Sequence, residues 1–89
     1  MEKNLEDVMD EILVHPDVFG CLFADQRGLC IAAKGKASKD TAGYITAIAH
    51  QAAKLEPNSK MPVITLESEN QMCIIQNTGS ITGAIYKRT

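Results

Sequence analysis

The sequence predicts an α+β fold in the element order α-β-β-α-β-β-β, with one helix on each face of a five-stranded antiparallel or mixed sheet. Residues 5–13 and 41–55 repeat their apolar positions at helical spacing. Five short apolar runs, at residues 18–24, 29–33, 62–67, 72–76 and 81–86, are set apart by turn-forming sequence. The first run, VFGCLFA, is apolar at nearly every position, so its strand needs cover on both faces.

Leu5, Val8, Met9, Ile12 and Leu13 follow the i, i+3, i+4, i+7, i+8 pattern of a one-faced helix. Asn4 is its expected N-cap, and Glu6 and Asp7 complement the positive end of the helix dipole. His15 before Pro16 ends it, because the residue preceding proline is pushed out of the α region. Residues 25–28 (DQRG) form a turn in which Gly28 supplies a positive φ. Residues 29–33 return as the second strand, and Ser38 or Asp40 caps the long helix that follows. After a polar break at residues 56–60, Pro62 opens a β-branched third strand, and a leading proline fits an edge better than a central position. Turns at residues 68–71 and 77–80 separate the last two strands.

The long helix, TAGYITAIAHQAAKL, is apolar over about half of its circumference, where a surface helix needs a stripe of roughly 100°. One flank is large (Tyr44, Ile48, Leu55) and suits a sheet. The other is small (Ala42, Ala49, Ala53, with Thr46 beside it). Either a second helix approaches along that small flank, or the chain's own first helix covers it. A five-stranded sheet is about 24 Å across at ~4.8 Å per strand, and one helix about 10–12 Å wide covers less than that. Both faces are therefore expected to need something more.

Eighty-nine residues are expected to make one domain, residues 1–89, that buries only about 60–65% of its unfolded surface. Small domains compensate with disulfides, metals or association. Cys21, Cys30 and Cys73 are odd in number and form no CxxC pair, and neither His15 nor His50 stands at ligand spacing to them. They read as buried reduced thiols of a cytoplasmic protein, and no metal or other cofactor is expected. Association remains.

A net charge of −2, scattered basic residues and only four aromatic rings give no basic–aromatic stripe for nucleic acid. The first residues resemble no signal peptide, no apolar run approaches the ~20 residues of a membrane span, and no lipidation motif is seen. Direct membrane insertion is not expected.

A cysteine hydrolase needs thiol, imidazole and an orienting group in contact, and here the thiols lie on strands while the histidines belong to the helices. Asp25, Glu67 and Glu69 sit at or beside turns, where acidic residues are common for local reasons. Gly28, Gly35 and Gly43 match neither GxGxxG nor GxxxxGK[ST], so the chain is not expected to bind GTP itself. The reading is a non-enzyme.

Gln51 to Leu55, Pro62 and Val63, Leu66 to Ser68 with Asn70, Ile75 and Gln76, and Gly79 with Ile81, Thr82 and Ala84 resemble the roadblock/LC7 superfamily. Within it they are similar to the hepatitis B virus X-interacting protein family of Ragulator subunits, as are Asp25, Gly28 and Leu29. The likeness runs over nearly the whole chain and departs at residues 34–39, at Cys30 and at residues 54–61. No one of these motifs is chemically diagnostic; their joint order carries the likeness.

The resemblance implies a profilin-like sheet with the third strand on its edge and no C-terminal helix. Two such domains then pair edge to edge with their long helices side by side, giving ten strands. The implied partners are a second roadblock subunit (heterodimer, or homodimer in isolation), a wrapping membrane-anchored scaffold subunit and, through the assembled complex, Rag GTPases. That places the chain at the lysosomal surface, in amino-acid signalling to the TOR kinase. The expected interface draws on Ala42, Thr46, Ala49, His50 and Ala53 from the helix, and on Val63, Ile64, Thr65, Leu66 and Glu67 from the strand. Competing readings are a roadblock homodimer of the dynein light chain or bacterial GTPase-regulator kind, and a profilin- or PAS-like small-ligand sensor.

Overall fold

The computed structural model describes residues 4–55 and 62–89. The polar break expected at residues 56–60 lies outside the described residues. Helix α1 (Leu5–Leu13) starts where expected, with the Asn4 side-chain oxygen accepting from the Asp7 amide at 2.9 Å. Met9 is its fully buried residue.

Strands β1 (Val18–Asp25) and β2 (Cys30–Gly35) form a hairpin whose turn is organised by Asp25. Its carboxylate accepts from the amides of Arg27 and Leu29, at 2.9 and 3.0 Å, while its carbonyl accepts from Gly28. Gly28 adopts φ +87°, the left-handed position that closes a three-residue hairpin loop. A Cβ there would also come within 3.0 Å of the Gly43 Cα, so this turn abuts the start of the long helix.

A short 3₁₀ turn, Lys39–Thr41, precedes helix α2 (Ala42–Ala53), and Ser38 caps that turn through the Asp40 amide rather than capping α2. Strands β3 (Val63–Glu67), β4 (Gln71–Asn77) and β5 (Ile81–Arg88) follow as a meander. The sheet order is β2-β1-β5-β4-β3 and every neighbouring pair is antiparallel, which resolves the antiparallel-or-mixed alternative. Among the described residues no helix follows β5.

Alternation along β1 sends Leu22 and Ala24 to one face and Cys21 and Phe23 to the other. On the first face, Leu22, Ala24, Ile75 and Ala84 pack against Ala42, Ile45 and Ala49 of α2 as the main core. The buried side-chain amide of Asn77 donates to the Thr82 hydroxyl at 2.8 Å, so these two polar side chains satisfy each other at the end of the β4–β5 ladder.

On the second face α1 lies over β1 and β2. Lys34 of β2 fastens it, with Nζ 2.8 Å from Asp10 and 3.9 Å from Glu6. Among the described residues no helix covers β3 and β4 there. Ile12, Phe23, Ile74 and Ile85 instead line an open apolar cleft of about 170 Å³.

Candidate subunit interface

Strand β3 ends the sheet, so one side of its backbone has no strand partner among the described residues. Which amides face outward follows from the register. The Ser68 amide donates to the Gln71 carbonyl at 2.9 Å, which makes that pair hydrogen-bonded. Antiparallel pairs alternate, and no bulge interrupts β3 against β4. Leu66 and Ile64 are therefore bonded to Cys73 and Ile75, whereas Glu67, Thr65 and Val63 turn their N–H and C=O groups to the open edge. Their side chains alternate as well. Ile64 and Leu66 lie on the α2 side of the sheet, and Val63, Thr65 and Glu67 lie on the α1 side.

The two edges are not equivalent. The β1–β2 ladder is bulged at Phe23/Ala24, and β2 ends at Gly35 with φ +68°, where a Cβ would run into the Phe19 carbonyl oxygen. The 3₁₀ turn also packs on β2. Bulges and covering segments are ways of closing an edge to further pairing. Strand β3 has an unbroken register and one charge, Glu67, at its end. It is the open edge.

The helix contribution needs correcting. Ala42, Thr46 and Ala49 are 2%, 3% and 2% exposed within the subunit, so the flank expected to meet a second helix already lies on the chain's own sheet. Short side chains let α2 settle onto strands whose bulky Leu22 and Ile75 fill the space between the layers. Nor does α1 cover that flank, because it sits on the opposite face. Ala53 is half-buried and His50 is exposed.

The large flank is the outward one: Tyr44 is 74% and Leu55 82% exposed, with Ile48 only half-buried between them. Tyr44, Ile48, Gln51 and Leu55 share an i, i+4, i+7, i+11 spacing, which is visible in the sequence and marks one face. Size asymmetry assigned that face to the sheet. The opposite holds. On β3, Val63 of the α1 face and Leu66 of the α2 face are 58% and 46% exposed.

The Thr46 hydroxyl oxygen is buried with no hydrogen-bond partner among the described residues. Burial pushes the Cys21 and Cys73 thiols above the ordinary thiol value, which favours the unreactive protonated form. Cys21 is fully buried, and Cys30 and Cys73 are half-buried rather than buried as expected. Cys73 lies beside the Tyr86 hydroxyl, which also reaches Thr41, and burial raises Tyr86 as well. Among the described residues no group of His, Cys, Asp and Glu is placed to hold a metal ion, and no helix is long and apolar enough to cross a membrane.

The family model described as Ragulator complex protein LAMTOR5 matches residues 1–87. A Ragulator complex protein LAMTOR5 homolog of Nematostella vectensis is 39% identical over 88 residues, covering 98% of this chain and 97% of that protein. Ragulator complex protein LAMTOR5 of Xenopus tropicalis is 34% identical over 90 residues, covering 100% and 99%. Among solved structures, Myxococcus xanthus MglB superposes with a TM-score of 0.80 at 14% identity, covering 99% of this chain and 80% of that one. A roadblock/LC7 domain from Streptomyces avermitilis superposes with a TM-score of 0.73 at 14% identity, covering 97% and 79%. At such identities the likeness establishes the roadblock/LC7 fold.

Proposed function

The chain belongs to the Ragulator complex protein LAMTOR5 family, and from that premise we propose that it is a non-catalytic scaffold subunit, one roadblock domain over residues 1–89, which pairs with a second roadblock subunit. The observation that carries the pairing is the open β3 edge, with the Val63, Thr65 and Glu67 amides facing outward; Tyr44 and Leu55 of α2 are exposed as well. A partner strand added there gains backbone hydrogen bonds, and the outer flank of α2 supplies apolar area. The proposed interface retains Val63, Ile64, Thr65, Leu66 and Glu67 of the residues expected from the sequence, with His50 and Ala53 at its margin. Ala42, Thr46 and Ala49 leave it, and Tyr44, Ile48 and Leu55 enter.

In this reading the pair is a building block of a Ragulator-like complex. A membrane-anchored subunit wraps it and holds it at the lysosomal surface, and the assembly docks Rag GTPases in amino-acid signalling to the TOR kinase. The chain itself supplies shape rather than chemistry. The uncovered apolar strip beside α1, lined by Ile12, Phe23, Ile74 and Ile85, supports a wrapping partner on that face.

The experiment is affinity purification of the tagged chain from its native cell at endogenous level. Recovery of a second roadblock protein in equal amount, with Rag GTPases in the same eluate, bears the reading out. A monomer carrying a small molecule, or a homodimer with neither partner, overturns it.

A further inference from the structure

At the end of the sheet where β1 starts and β5 finishes, the strand termini enclose a second cleft, polar where the one beside α1 is apolar. Its lining residues are Phe19, Lys36, Asn70, Gln71 and Arg88, around a volume of about 270 Å³. No carboxylate is among them, in a chain whose eleven acidic residues outnumber its nine basic ones.

Neither cation is neutralised, and the arginine is positioned by an aromatic ring. The Arg88 guanidinium lies over the Phe19 ring, with its central carbon 5.1 Å from the ring centroid. Phe19 is fixed in turn by the tilted Tyr86 ring 6.2 Å away. The backbone anchors both residues: the Lys36 amide donates to the Phe19 carbonyl at 2.9 Å and the Arg88 amide to the Asp17 carbonyl at 2.8 Å. Among the described residues neither Lys36 nor Arg88 is in an ion pair, whereas Lys34, two residues before Lys36, is paired twice. A guanidinium positioned on an aromatic face keeps its hydrogen-bonding edge free for a carboxylate.

We infer that this cleft binds an acidic, extended peptide segment of a partner chain, a carboxylate meeting Arg88 and Lys36. Charge complementarity selects the anion. The amide side chains select peptide over phosphate: Asn70 and Gln71 each bring an acceptor as well as donors, which suits a peptide backbone, while a phosphate group takes donors alone. The open rim leaves room for a chain passing through. This site is separate from the β3 edge and does not rest on the proposed pairing.

The probe is a fluorescein-labelled octapeptide of alternating Glu and Leu, titrated by anisotropy at low salt against the chain as purified, with any co-purifying subunits retained. Binding is expected to weaken about threefold or more when Arg88→Ala and Lys36→Ala are combined, on the scale of two exposed charge contacts. Arg88→Lys with Lys36→Arg restores part of it. Lys39→Ala and Lys87→Ala, outside the lining, leave it unchanged, and the Gln–Leu peptide does not bind. In amide NMR spectra the shifts centre on Phe19, Lys36, Gln71 and Arg88. Equal loss in the control variants, shifts elsewhere, or displacement of the peptide by inositol hexakisphosphate at lower concentration than by unlabelled peptide overturns the assignment. Circular dichroism and partner co-purification on the same double variant separate this outcome from misfolding and from failure of the pairing reading.

Discussion

Thr65 stands opposite Ile74 in a pair that exchanges no backbone hydrogen bonds, so the Thr65 amide and carbonyl belong to the open side of the sheet. Its neighbour Ile64, bonded to Ile75, belongs to the closed side. Proline at position 65 therefore removes a donor that only a partner strand uses. Thr65→Pro is expected to abolish pairing while the subunit keeps its circular dichroism. Ile64→Pro removes a donor of the subunit's own ladder and is expected to lower its melting temperature. Light scattering and thermal melts on the two variants check this, and a Thr65→Pro protein still fully assembled would sink the edge reading.

The outer flank of α2 gives a second handle on the same contact. Tyr44→Lys and Leu55→Lys place charges at positions that are 74% and 82% exposed in the subunit, where such changes usually alter stability by less than about 0.5 kcal/mol. Buried in a partner contact, each unpaired ammonium costs far more, so assembly is expected to weaken at least about tenfold. Sedimentation equilibrium beside a urea melt measures both numbers. Unchanged association would move the partner off this flank.

Ala49→Leu has the opposite signature. Ala49 is 2% exposed against the chain's own sheet, so three added carbons overpack the core and should cost about 1–3 kcal/mol of subunit stability. The fold fails before the pairing does. A variant that melts like the parent but no longer associates would return the small flank to the interface.

Thr46→Val is expected to stabilise the subunit. The Thr46 hydroxyl is buried without a partner among the described residues, and relieving such a group is worth about 1–3 kcal/mol before the changes in helix propensity and shape are counted. Differential scanning calorimetry should show a higher melting temperature. A lower one means that the hydroxyl is bonded in solution.

Alkaline pH should destabilise the chain. Burial raises Cys21, Cys73 and Tyr86, and the hydrogen bond to Asp10 raises Lys34, so all four hold their protons more tightly when folded. For a raised group the unfolded chain loses its proton first. The associated stability is complete below the unfolded value and is lost as pH rises through the folded one. Urea midpoints are expected to fall between about pH 8 and about pH 10.5, less so in the Cys21→Ala, Cys73→Ala double variant. A midpoint that climbs over that range contradicts the assignment.

Element order was readable because each signal was local. Asn4 and the apolar spacing after it determine α1, and Asp25 with Gly28 determines the first hairpin. Pro62 pointed to an edge, and β3 is one. What escaped was relational. Periodicity says that Ala42, Ala49 and Ala53 share a face with Ile45 beside them, but not which surface that face meets. Small side chains permit a close approach to a helix or to a sheet, and only the bulk of Leu22 and Ile75 on the facing strands decides between them. Lys36 and Arg88 are far apart in the chain and join one cleft because β2 and β5 both flank β1. No single stretch of sequence carries that information.

The unlike edges of the sheet also set a number. A strand that can be extended on both sides is a monomer in the polymer chemist's sense, and its products grow with concentration. Here the bulge and Gly35 disfavour extension on one side, so in the proposed pairing each subunit offers its β3 edge. Two units paired in this way would use up each other's β3 edge. In the proposed pairing, backbone geometry favours a closed pair over an open-ended ribbon.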